Sequence, residues 1–396
     1  MNILVLKPWL GVPFKRLQPA LGINREDNLP PIRQHWQDFI WKLIDYLKDT
    51  EHNVKILDGP LWTFTPELID QYGPDLVFIP HKNQEQFKYK GNARYYMQTV
   101  FPWLFTVNRT GWGGTSTDYP WKPEGEFDET VFNKLASRIM SNESKFDQPE
   151  QSDKVELPED FIFFPGQIPH DETIEYHSDV TVEETLDKLS LWCHQHKVPL
   201  VVKGHPVNPG SMASLKTVLH PDTLWVDNVS IHDLLSKCFC VYTVNSGAGF
   251  EALLHKKPVV TFGQAEYDCV TIKGDINSLD TAWNNVYYEP IYHENVVKFF
   301  DSFIKNYCVD STDINSYKNI KIWMGRRSSK TESTFSKGQR PNVNKDILKG
   351  VRRTRTLVER RIAQLDAAVK GKNTYLDKDL VERLRKPHMI NLKSDD

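Results

Sequence analysis

The sequence predicts an α/β fold of two Rossmann-like domains that face a cleft, followed by a basic helical extension at the C-terminus. Short apolar runs rich in β-branched and aromatic residues alternate with segments of helical periodicity over most of the chain. A polar segment at 142–160, interrupted by prolines, divides this alternation into two series, as an interdomain linker would. A chain of 396 residues exceeds one ordinary core and suits two domains.

The first domain is predicted to span residues 1–145. An amphipathic helix at 33–48 places Trp36, Phe39 and Ile40 on one side. Four apolar runs have the length and composition of buried strands: 2–6, 54–57, 76–79 and 103–107. Strands that alternate with helices in this way indicate a parallel sheet.

A glycine-rich loop at 108–116 follows the last of these strands. Its glycines do not have the spacing of a dinucleotide-binding motif or of a P-loop. Two interpretations are open. The loop is either a flexible turn or an acceptor-binding loop in which Arg109 and Trp112 contact the substrate.

The second domain is predicted to span residues 159–310 and to repeat the α/β order. Helices are predicted at 182–196 and 248–255. Strands are predicted at 161–164, 199–202, 224–226, 240–244 and 258–262. Two Rossmann-like halves joined by a linker form the GT-B arrangement, in which the substrate lies in the cleft between them.

Charge is distributed unevenly along the chain. Residues 318–396 contain 21 Lys/Arg and 9 Asp/Glu, a net charge of +12, whereas the preceding residues have a net charge of −15. A helix predicted at 346–369 has an apolar stripe on one face. Its other faces carry arginines that are candidate acceptor contacts: Arg352, Arg353 and Arg355. This tail predicts a polyanionic partner, namely duplex DNA, an anionic membrane surface or an acidic glycan. The alternative is a docking or homodimer helix whose charges are solvated.

The sequence also limits the compartment and the kinds of site. Residues 1–10 lack the features of a signal peptide, and no window reaches the roughly 18 apolar residues of a membrane span. The five cysteines include no C-x-x-C pair, which fits the cytoplasm, or the host cytoplasm if the protein is viral. His194 and His196 lie two residues apart on a predicted helix, so their rings point apart and no metal site is predicted.

The candidate site lies where three predicted strands of the second domain end. Polar residues follow these strands in the segments 163–174, 201–206 and 241–263. In open α/β sheets, ligands bind at the carboxyl ends of the strands, next to helix N-termini. The three segments therefore predict one shared site.

The turn after the strand at 240–244 predicts a site for a phosphate and a ribose. Gly247 and Gly249 allow a tight turn into a helix, where Ser246 and backbone N–H groups can bind a phosphate or carboxylate. Glu251, one turn further, can reach the hydroxyls of a ribose. The alternative is an ordinary strand-to-helix turn with a surface glutamate.

The segment Lys203-Gly-His-Pro206 suits a leaving phosphate. Lys203 and His205 supply two donors that neutralise it, and His205 can also act as a general acid. Pro206 ends the strand and fixes the direction of His205. A purely structural histidine is the alternative.

The third strand end offers two carboxylates. Gln167, His170, Asp171 and Glu172 follow the strand at 161–164. A carboxylate at a strand end can act as a nucleophile or as a general base. Spacing alone does not separate Asp171 from Glu172, and for each the alternative is a solvated loop carboxylate.

Together, and in this order, the motifs resemble those of a known family. The segment 232–263, with Lys203-Gly-His-Pro206 and the spacing Gln167-x-x-x-Asp171, resembles the capsule polysaccharide synthesis proteins, the bacterial β-Kdo transferases. The Lys-Gly-His-Pro motif is also similar to that of GT-B sialyltransferases that use CMP-sialic acid. The resemblance covers residues 160–270.

This resemblance implies a GT-B glycosyltransferase that uses a CMP-activated sugar and neither a metal nor another cofactor. It implies that Asp171 and His205 are catalytic, with Asp171 as nucleophile or base. It also implies that His205 and Ser246 hold the CMP phosphate and that Glu251 binds the ribose. The full set of expected donor-binding residues is Gln167, Lys203, His205, Pro206, Asn245, Ser246, Gly247 and Glu251.

The acceptor is predicted less directly, from the tail. The first hypothesis is hydroxymethylated cytosine in phage DNA, because a basic tail and many aromatics suit a DNA substrate. The alternative is a capsule or lipopolysaccharide glycan, with the tail on anionic lipid. A non-catalytic binding protein on a GT-B frame ranks last, since the chain has Asp171, His205 and Ser246. The sugar stays open between a Kdo-like or sialic-like acid and a pentose such as arabinose.

Overall fold

A computed structural model describes most of the chain. The described residues are 1–11, 29–50, 52–113, 126–146, 148–149, 153–169, 171–206, 212–288, 293–320 and 388–390. They form two α/β units, each built on its own largely parallel sheet. The predicted fold class of two Rossmann-like domains is confirmed.

The first sheet has a parallel centre and antiparallel edges. Its seven strands are β1 (Asn2–Pro8), β2 (Asn53–Gly59), β3 (Leu76–Pro80), β4 (Ala93–Gln98), β5 (Leu104–Asn108), β12 (Val309–Asp310) and β13 (His388–Ile390). They are ordered β12-β5-β4-β3-β1-β2-β13. β1 pairs in parallel with β2 and β3, and β3 pairs in parallel with β4. β5, β12 and β13 pair antiparallel with their neighbours.

The sequence did not predict β4, since two polar residues interrupt its apolar run. Arg94 and Gln98 are nevertheless 4% and 3% exposed. Arg94 donates to the Ala93 carbonyl, and Gln98 Nε2 donates to the carbonyls of Ile32 and Pro102. Buried polar groups are tolerated where such partners are present, and the partners of Gln98 lie outside the strand.

The helices of the first domain are α1 (Pro31–Lys48), α2 (Pro66–Asp70), α3 (Gln84–Phe87) and α4 (Glu129–Met140). α1 begins with Pro31, a residue whose fixed φ and missing N–H suit the first helical position. Its buried face includes the predicted Trp36, Phe39 and Ile40. The Phe39 ring stacks on Phe105 of β5 with centroids 4.2 Å apart. The apolar stripe of α1 therefore packs on one face of the sheet, where it contacts β5.

The second sheet is parallel throughout. Its six strands are β6 (Ile162–Pro165), β7 (Leu200–Lys203), β8 (Leu224–Val226), β9 (Cys240–Thr243), β10 (Val259–Thr261) and β11 (Ile272–Lys273). The order is β11-β10-β9-β6-β7-β8. The chain runs outward from β6 in one direction and from β9 in the other. The switch point, where open α/β sheets bind ligands, therefore lies between the ends of β6 and β9.

The second domain contains seven of the described helices. They are α5 (Glu172–His177), α6 (Val182–His196), α7 (Ala213–Lys216), α8 (Ile231–Lys237), α9 (Ala248–Leu254), α10 (Leu279–Tyr288) and α11 (His293–Ser302). α6 shows how local sequence sets the ends of a helix. Thr181 caps its first turn by accepting a hydrogen bond from the N–H of Glu184, and Lys197 ends it in the left-handed conformation.

An aromatic cluster joins the two domains behind the cleft. Phe250 of α9 contacts Phe101 of the first domain with ring centroids 5.6 Å apart. It also contacts Phe300 and Phe303, at 6.2 and 5.4 Å. The chain then returns to the first sheet through β12. The cleft is therefore backed by a continuous apolar core.

Most of the predicted basic extension lies outside the described residues, including the helix at 346–369 with Arg352, Arg353 and Arg355. Its described part near the C-terminus is β13, which pairs with β2 at Ile56, Leu57 and Asp58. Within the described part of the chain, no helix is both long and apolar enough to span a membrane.

Candidate active site

A cleft of about 500 Å³ opens between the two domains at the carboxyl ends of the second sheet. It brings together most of the residues predicted from sequence: Trp112, Gln167, Asp171, Lys203, His205, Pro206, Asn245, Ser246, Gly247 and Glu251. Arg109 is exposed and is not among the lining residues. His170 lies outside the described residues.

Each domain contributes one wall to this cleft. The first-domain wall consists of His81, Met97, Gln98, Thr99, Val100, Thr106, Trp112 and Gly113. The second-domain wall contains the lining residues from Pro165 to Tyr267. The segment that connects the domains adds Ser144, Lys145, Phe146 and Gln148.

Asp171 caps the helix that follows β6. Its Oδ1 accepts hydrogen bonds from the N–H and the hydroxyl of Thr173, both at 3.0 Å. This cap fixes the direction of the carboxylate at the edge of the cleft. Glu172 lines the same cleft, but its Oε1 accepts a 2.7 Å bond from Gln86 Nε2 of the first domain. The structure thus separates the two carboxylates that spacing could not. Asp171 caps a helix, whereas Glu172 connects the two domains.

Gln167 holds the ends of β6 and β9 together at the switch point. Its Oε1 accepts from Thr243 Oγ1 at 3.0 Å and from the Asn245 N–H at 3.1 Å. Its Nε2 donates to Asn245 Oδ1 at 2.9 Å. The Asn245 amide in turn donates to the Thr173 carbonyl at 2.8 Å. The Gln167 side chain is 6% exposed. Its hydrogen bonds therefore hold in place the turn that carries Ser246.

The turn into α9 is closed by its own hydrogen bonds. The N–H of Ser246 donates to Thr243 Oγ1 at 3.0 Å, and the N–H of Ala248 donates to Ser246 Oγ at 3.2 Å. The N–H of Gly249 donates to the Ser246 carbonyl, which also accepts from the Tyr267 hydroxyl. Three of the N–H groups expected to bind a phosphate are thus already used. The hydroxyl proton of Ser246 is a donor that this turn offers to a ligand.

Lys203 and His205 extend from the end of β7. Lys203 is 6% exposed, and its Nζ donates to the Asp227 carbonyl at 2.9 Å. Burial lowers the pKa of this ammonium, and the nearby Asp227 carboxylate opposes that effect. The His205 ring contacts Phe146 edge-on, with centroids 5.3 Å apart. Both side chains line the cleft from the β7 side.

Glu251 is a buried carboxylate at the floor of the cleft. It is 8% exposed, and burial raises its pKa to about 7, an effect that the hydrogen bond from Ser144 reduces. Ser144 Oγ donates to Glu251 Oε1 at 2.7 Å. Two histidines extend this contact into a chain of hydrogen bonds. Ser144 Oγ lies 3.2 Å from His232 Nε2, and His232 Nδ1 lies 3.1 Å from His255 Nε2.

When the Glu251 carboxylate is charged, the Ser144 hydrogen bond sets the direction of the hydrogen-bonded chain behind it. If Ser144 donates to the carboxylate, its oxygen accepts from His232 Nε2–H, and His232 Nδ1 then accepts from His255 Nε2–H. Burial lowers the pKa of both imidazoles, to about 4 for His255, which fits neutral rings in this arrangement. Aligned donors strengthen one another and favour the charged carboxylate.

Sequence reasoning missed two groups in the cleft. Glu266 is partly buried, and desolvation raises its pKa to about 7, with Lys145 acting in the opposite direction. His81 follows β3 with a φ of 49°, in the left-handed region that a non-glycine residue rarely adopts. Neither lies in a recognisable motif. The signal available in the sequence was their position: His81 follows the predicted strand at 76–79, and Glu266 follows the predicted strand at 258–262.

Comparison with known proteins supports the predicted resemblance. Residues 124–312 match the family model of capsule polysaccharide biosynthesis proteins. The resemblance is confirmed. This segment contains the ends of β6, β7 and β9 and therefore all of the second-domain wall.

Two curated relatives align over a shorter segment. The capsule polysaccharide export protein KpsS of Escherichia coli is 30% identical over 132 residues, which are 30% of this chain and 33% of the relative. The protein FixF of Sinorhizobium fredii is 30% identical over 134 residues, 32% of this chain and 33% of that protein. The chain thus aligns with about a third of the length of each.

Solved structures match the chain at low identity and low TM-score. The β-Kdo 2,7 transferase of Thermosulfurimonas dismutans KpsC is 17% identical, with a TM-score of 0.42, and the match covers 81% of this chain and 100% of that chain. AviGT4, a glycosyltransferase involved in avilamycin A biosynthesis, is 13% identical, with a TM-score of 0.35, and covers 82% and 97%.

Proposed function

We propose that this protein is a glycosyltransferase that moves a Kdo-like sugar acid from a CMP-activated donor to a glycan of the capsule polysaccharide type. One observation carries the proposal: Asp171, His205 and Ser246 come from three separate strand ends and line one interdomain cleft. The segment that matches the capsule polysaccharide biosynthesis family contains all three strand ends. A carboxylate opposite a set of phosphate donors is the arrangement that sugar transfer from a nucleotide requires.

The donor phosphate is assigned to Ser246, His205 and Lys203. The Ser246 hydroxyl donates a hydrogen bond, and His205 donates from its ring. Lys203 uses one of its three protons on the Asp227 carbonyl, which leaves the others for the phosphate. Glu251, in the first helical turn after Ser246, is assigned to the ribose hydroxyls. These donors balance the charge of departing CMP without a metal, and activity in EDTA tests that part of the proposal.

Asp171 is assigned to the anomeric carbon. Oδ1 of this carboxylate caps α5. In a double displacement, a carboxylate oxygen of Asp171 bonds to the anomeric carbon as the bond to the phosphate oxygen breaks and CMP departs. The acceptor oxygen then displaces the carboxylate and loses its proton to it. In a single displacement, Asp171 takes the acceptor proton as the acceptor oxygen bonds to the anomeric carbon. Retention or inversion in the product distinguishes the two.

The first-domain wall favours a sugar as the acceptor. Its described residues include no Asp, Glu, Lys or Arg. Trp112 lines this wall with its side chain 7% exposed. A glycan offers apolar ring faces to an indole, whereas a phosphate backbone requires cationic contacts. Acceptor binding is therefore assigned to this neutral wall.

Calorimetry with nucleotides tests the donor assignment. We expect the full-length protein to bind CMP and CDP in preference to UDP, UMP and GDP, with unchanged affinity in EDTA. His205→Ala should weaken CMP binding about tenfold or more, because it removes a donor to a charged phosphate. His196→Ala is the matched control, since His196 lies in the same domain and does not line the cleft. Preference for UDP, or no nucleotide binding, would contradict the donor and its site residues.

A nucleic-acid acceptor is the second candidate, and one observation favours it: the net charge of +12 in residues 318–396. If duplex DNA is the acceptor, its binding should weaken steeply with salt. Deletion of the residues after Gly325 should remove most of that salt dependence. A flat salt response in the full-length protein would leave the glycan as the acceptor.

A further inference from the structure

A second cluster of potential ligand groups lies on the opposite side of the second domain from the cleft. It consists of His194, in the last turn of α6, together with His220 and Asp222 from the loop between α7 and β8. One ligand atom of each residue lies within 4.8 Å of the other two. Since α6 ends just before β7 begins, its C-terminus lies at the amino ends of the strands, whereas the cleft lies at their carboxyl ends.

The two imidazoles face one carboxylate. His194 Nδ1 lies 2.6 Å from Asp222 Oδ2, and His220 Nδ1 lies 3.7 Å from the same oxygen. The two rings stack, with centroids 3.8 Å apart. In a tetrahedral site with bonds of 2.0–2.2 Å, ligand atoms lie about 3.3 Å apart. The present spacing brackets that value, so a turn of the side chains is enough to close the site.

Hydrogen bonds hold the backbone around the cluster, while its side chains reach solvent. The His220 N–H donates at 3.0 Å to the hydroxyl of Ser190, a residue of α6 that is 2% exposed. The Thr223 N–H donates to the His220 carbonyl at 3.0 Å. The side chains of His194, His220 and Asp222 are 45%, 25% and 67% exposed. His220 Nδ1 accepts a hydrogen bond from the Asp222 N–H at 3.3 Å, and a bound ion would replace that bond.

We propose that His194, His220 and Asp222 bind one zinc-type divalent cation, with the remaining coordination position open to water. Imidazole nitrogens with one carboxylate are a ligand set for Zn²⁺ and neighbouring transition metals, while Mg²⁺ and Ca²⁺ take oxygen ligands. The negative end of the α6 dipole also favours a cation at this position. The bound ion would join the end of α6 to the loop before β8.

His196 shows why the sequence did not predict this site. It is the histidine that spacing offered as a partner of His194, but its ring stacks on Trp192, with centroids 4.4 Å apart. Its Nε2 faces Asp280 Oδ1 at 3.3 Å. The second imidazole instead comes from His220, which lies beyond β7 and α7. The fold, and not the spacing on the helix, brings the ligands together.

Zinc titration of the full-length protein tests the proposal, after removal of any purification tag and dialysis against EDTA. We expect one site per chain by calorimetry. His194→Ala, His220→Ala and Asp222→Asn should each weaken it at least about tenfold, because even groups that only support metal ligands contribute that much. His196→Ala should keep wild-type affinity, since it pairs with a carboxylate outside the cluster. Zinc should also raise the Tm of wild type and His196→Ala.

Three results would overturn the site. One is absence of stoichiometric zinc binding by the wild-type chain. Another is unchanged affinity in the double variant His194→Ala/His220→Ala. The third is a rise in Tm with Mg²⁺ or Ca²⁺ in place of zinc, which would contradict the cation class. The metal-free Tm of each variant shows whether it is folded, and Asp222→Asn provides the mildest change if an alanine variant does not fold.

Discussion

The two walls of the cleft differ in charge and in how they are built. The second-domain wall carries six Asp, Glu, Lys or His side chains: Asp171, Glu172, Lys203, His205, Glu251 and Glu266. Among the described residues of the first-domain wall the corresponding set is His81 alone, and Gln98 and Thr99 use their polar groups on neighbouring carbonyls. Breaking a sugar–phosphate bond moves charge, whereas holding an acceptor glycan does not. Under the proposed function, bond breaking would therefore belong to the second domain and acceptor selection to the first.

The strongest test of this division is Asp171→Asn. Asparagine is as good an N-cap as aspartate, so α5 should be retained while the charge is lost. We expect turnover to fall by about 10³-fold or more, since a group acting in the transition state is removed, with CMP affinity nearly unchanged. Steady-state rates and CMP calorimetry on the same preparation separate the two effects.

Glu172→Gln is the matched control for that substitution. It removes the adjacent carboxylate, whose partner is Gln86 of the first domain. Its turnover should stay within about tenfold of wild type, as expected for a group outside the reaction. If Glu172→Gln abolishes turnover and Asp171→Asn does not, the two carboxylates have been assigned in the wrong order.

The buried carboxylate of Glu251, in the second-domain wall, should destabilise the folded protein above neutral pH. Burial raises the pKa of Glu251 to about 7, whereas an unfolded glutamate titrates near 4.5. Its contribution to stability is therefore fully present below pH 4.5 and is lost as the pH rises through 7. Glu251→Gln removes this dependence. The free energy of unfolding of Glu251→Gln minus that of wild type should be about 2 kcal/mol larger at pH 8 than at pH 5. The variant therefore gains stability relative to wild type as the pH rises.

Urea unfolding of both proteins at the two pH values gives this difference. Glu266 and Asp268, whose pKa values burial also raises, to about 7 and about 6, are present in both proteins, so their contributions cancel. Parallel pH profiles for wild type and variant would show that Glu251 is not desolvated in the folded protein.

The hydrogen-bonded chain behind Glu251 should contribute less than the carboxylate itself. Ser144→Ala removes the donor to Glu251 and separates it from His232 and His255. We expect CMP affinity to fall about tenfold, the size of one hydrogen bond to a charged group. Ser141→Ala is the control, because the Ser141 hydroxyl donates to the Ser137 carbonyl of α4 and Ser141 does not line the cleft. Equal affinities in the two variants would show that Ser144 does not position Glu251.

Sequence reasoning succeeded where local chemistry and strand ends coincide. Ser246, Lys203 and Asp171 each follow a short apolar strand, and parallel strands end at the same edge, so their convergence could be predicted. The glycines at 247 and 249 do not supply the special turn conformation predicted for them, since neither has a positive φ; the structure gives a steric reason instead. A Cβ on Gly249 would collide with the Tyr267 hydroxyl, which holds the Ser246 carbonyl.

It failed where function depends on contacts between distant segments. Ser144 meets Glu251 across 107 positions and His232 across 88, and neither pair leaves a spacing pattern. His194 likewise finds His220 only through the packing of a loop on α6. Apart from Trp112 and Gly113 of the predicted glycine-rich loop, the first-domain wall was missed for the same reason, since its other residues lie in or directly after β3, β4 and β5 without a motif.

The smallest expected effect is at the point where the two walls touch. Gly247 has helical backbone angles, φ −55° and ψ −23°, so alanine is compatible with its conformation. A Cβ there would nevertheless lie 2.6 Å from Val100 Cγ1 of the first-domain wall. Gly247→Ala should therefore cost about 1 kcal/mol of unfolding free energy, because the valine must shift. Val100→Ala in the same chain should recover much of that cost.

A double-mutant cycle from urea unfolding measures this coupling, with each single variant as the reference for the pair. A coupling energy of about 0.5 kcal/mol or more means that the two walls are in van der Waals contact at the entrance to the phosphate site. Strict additivity would instead mean that a gap separates them there. In that case the neutral wall could shift relative to the charged one without disturbing the turn at Ser246, and acceptor selection and donor binding would be independent properties of the two domains.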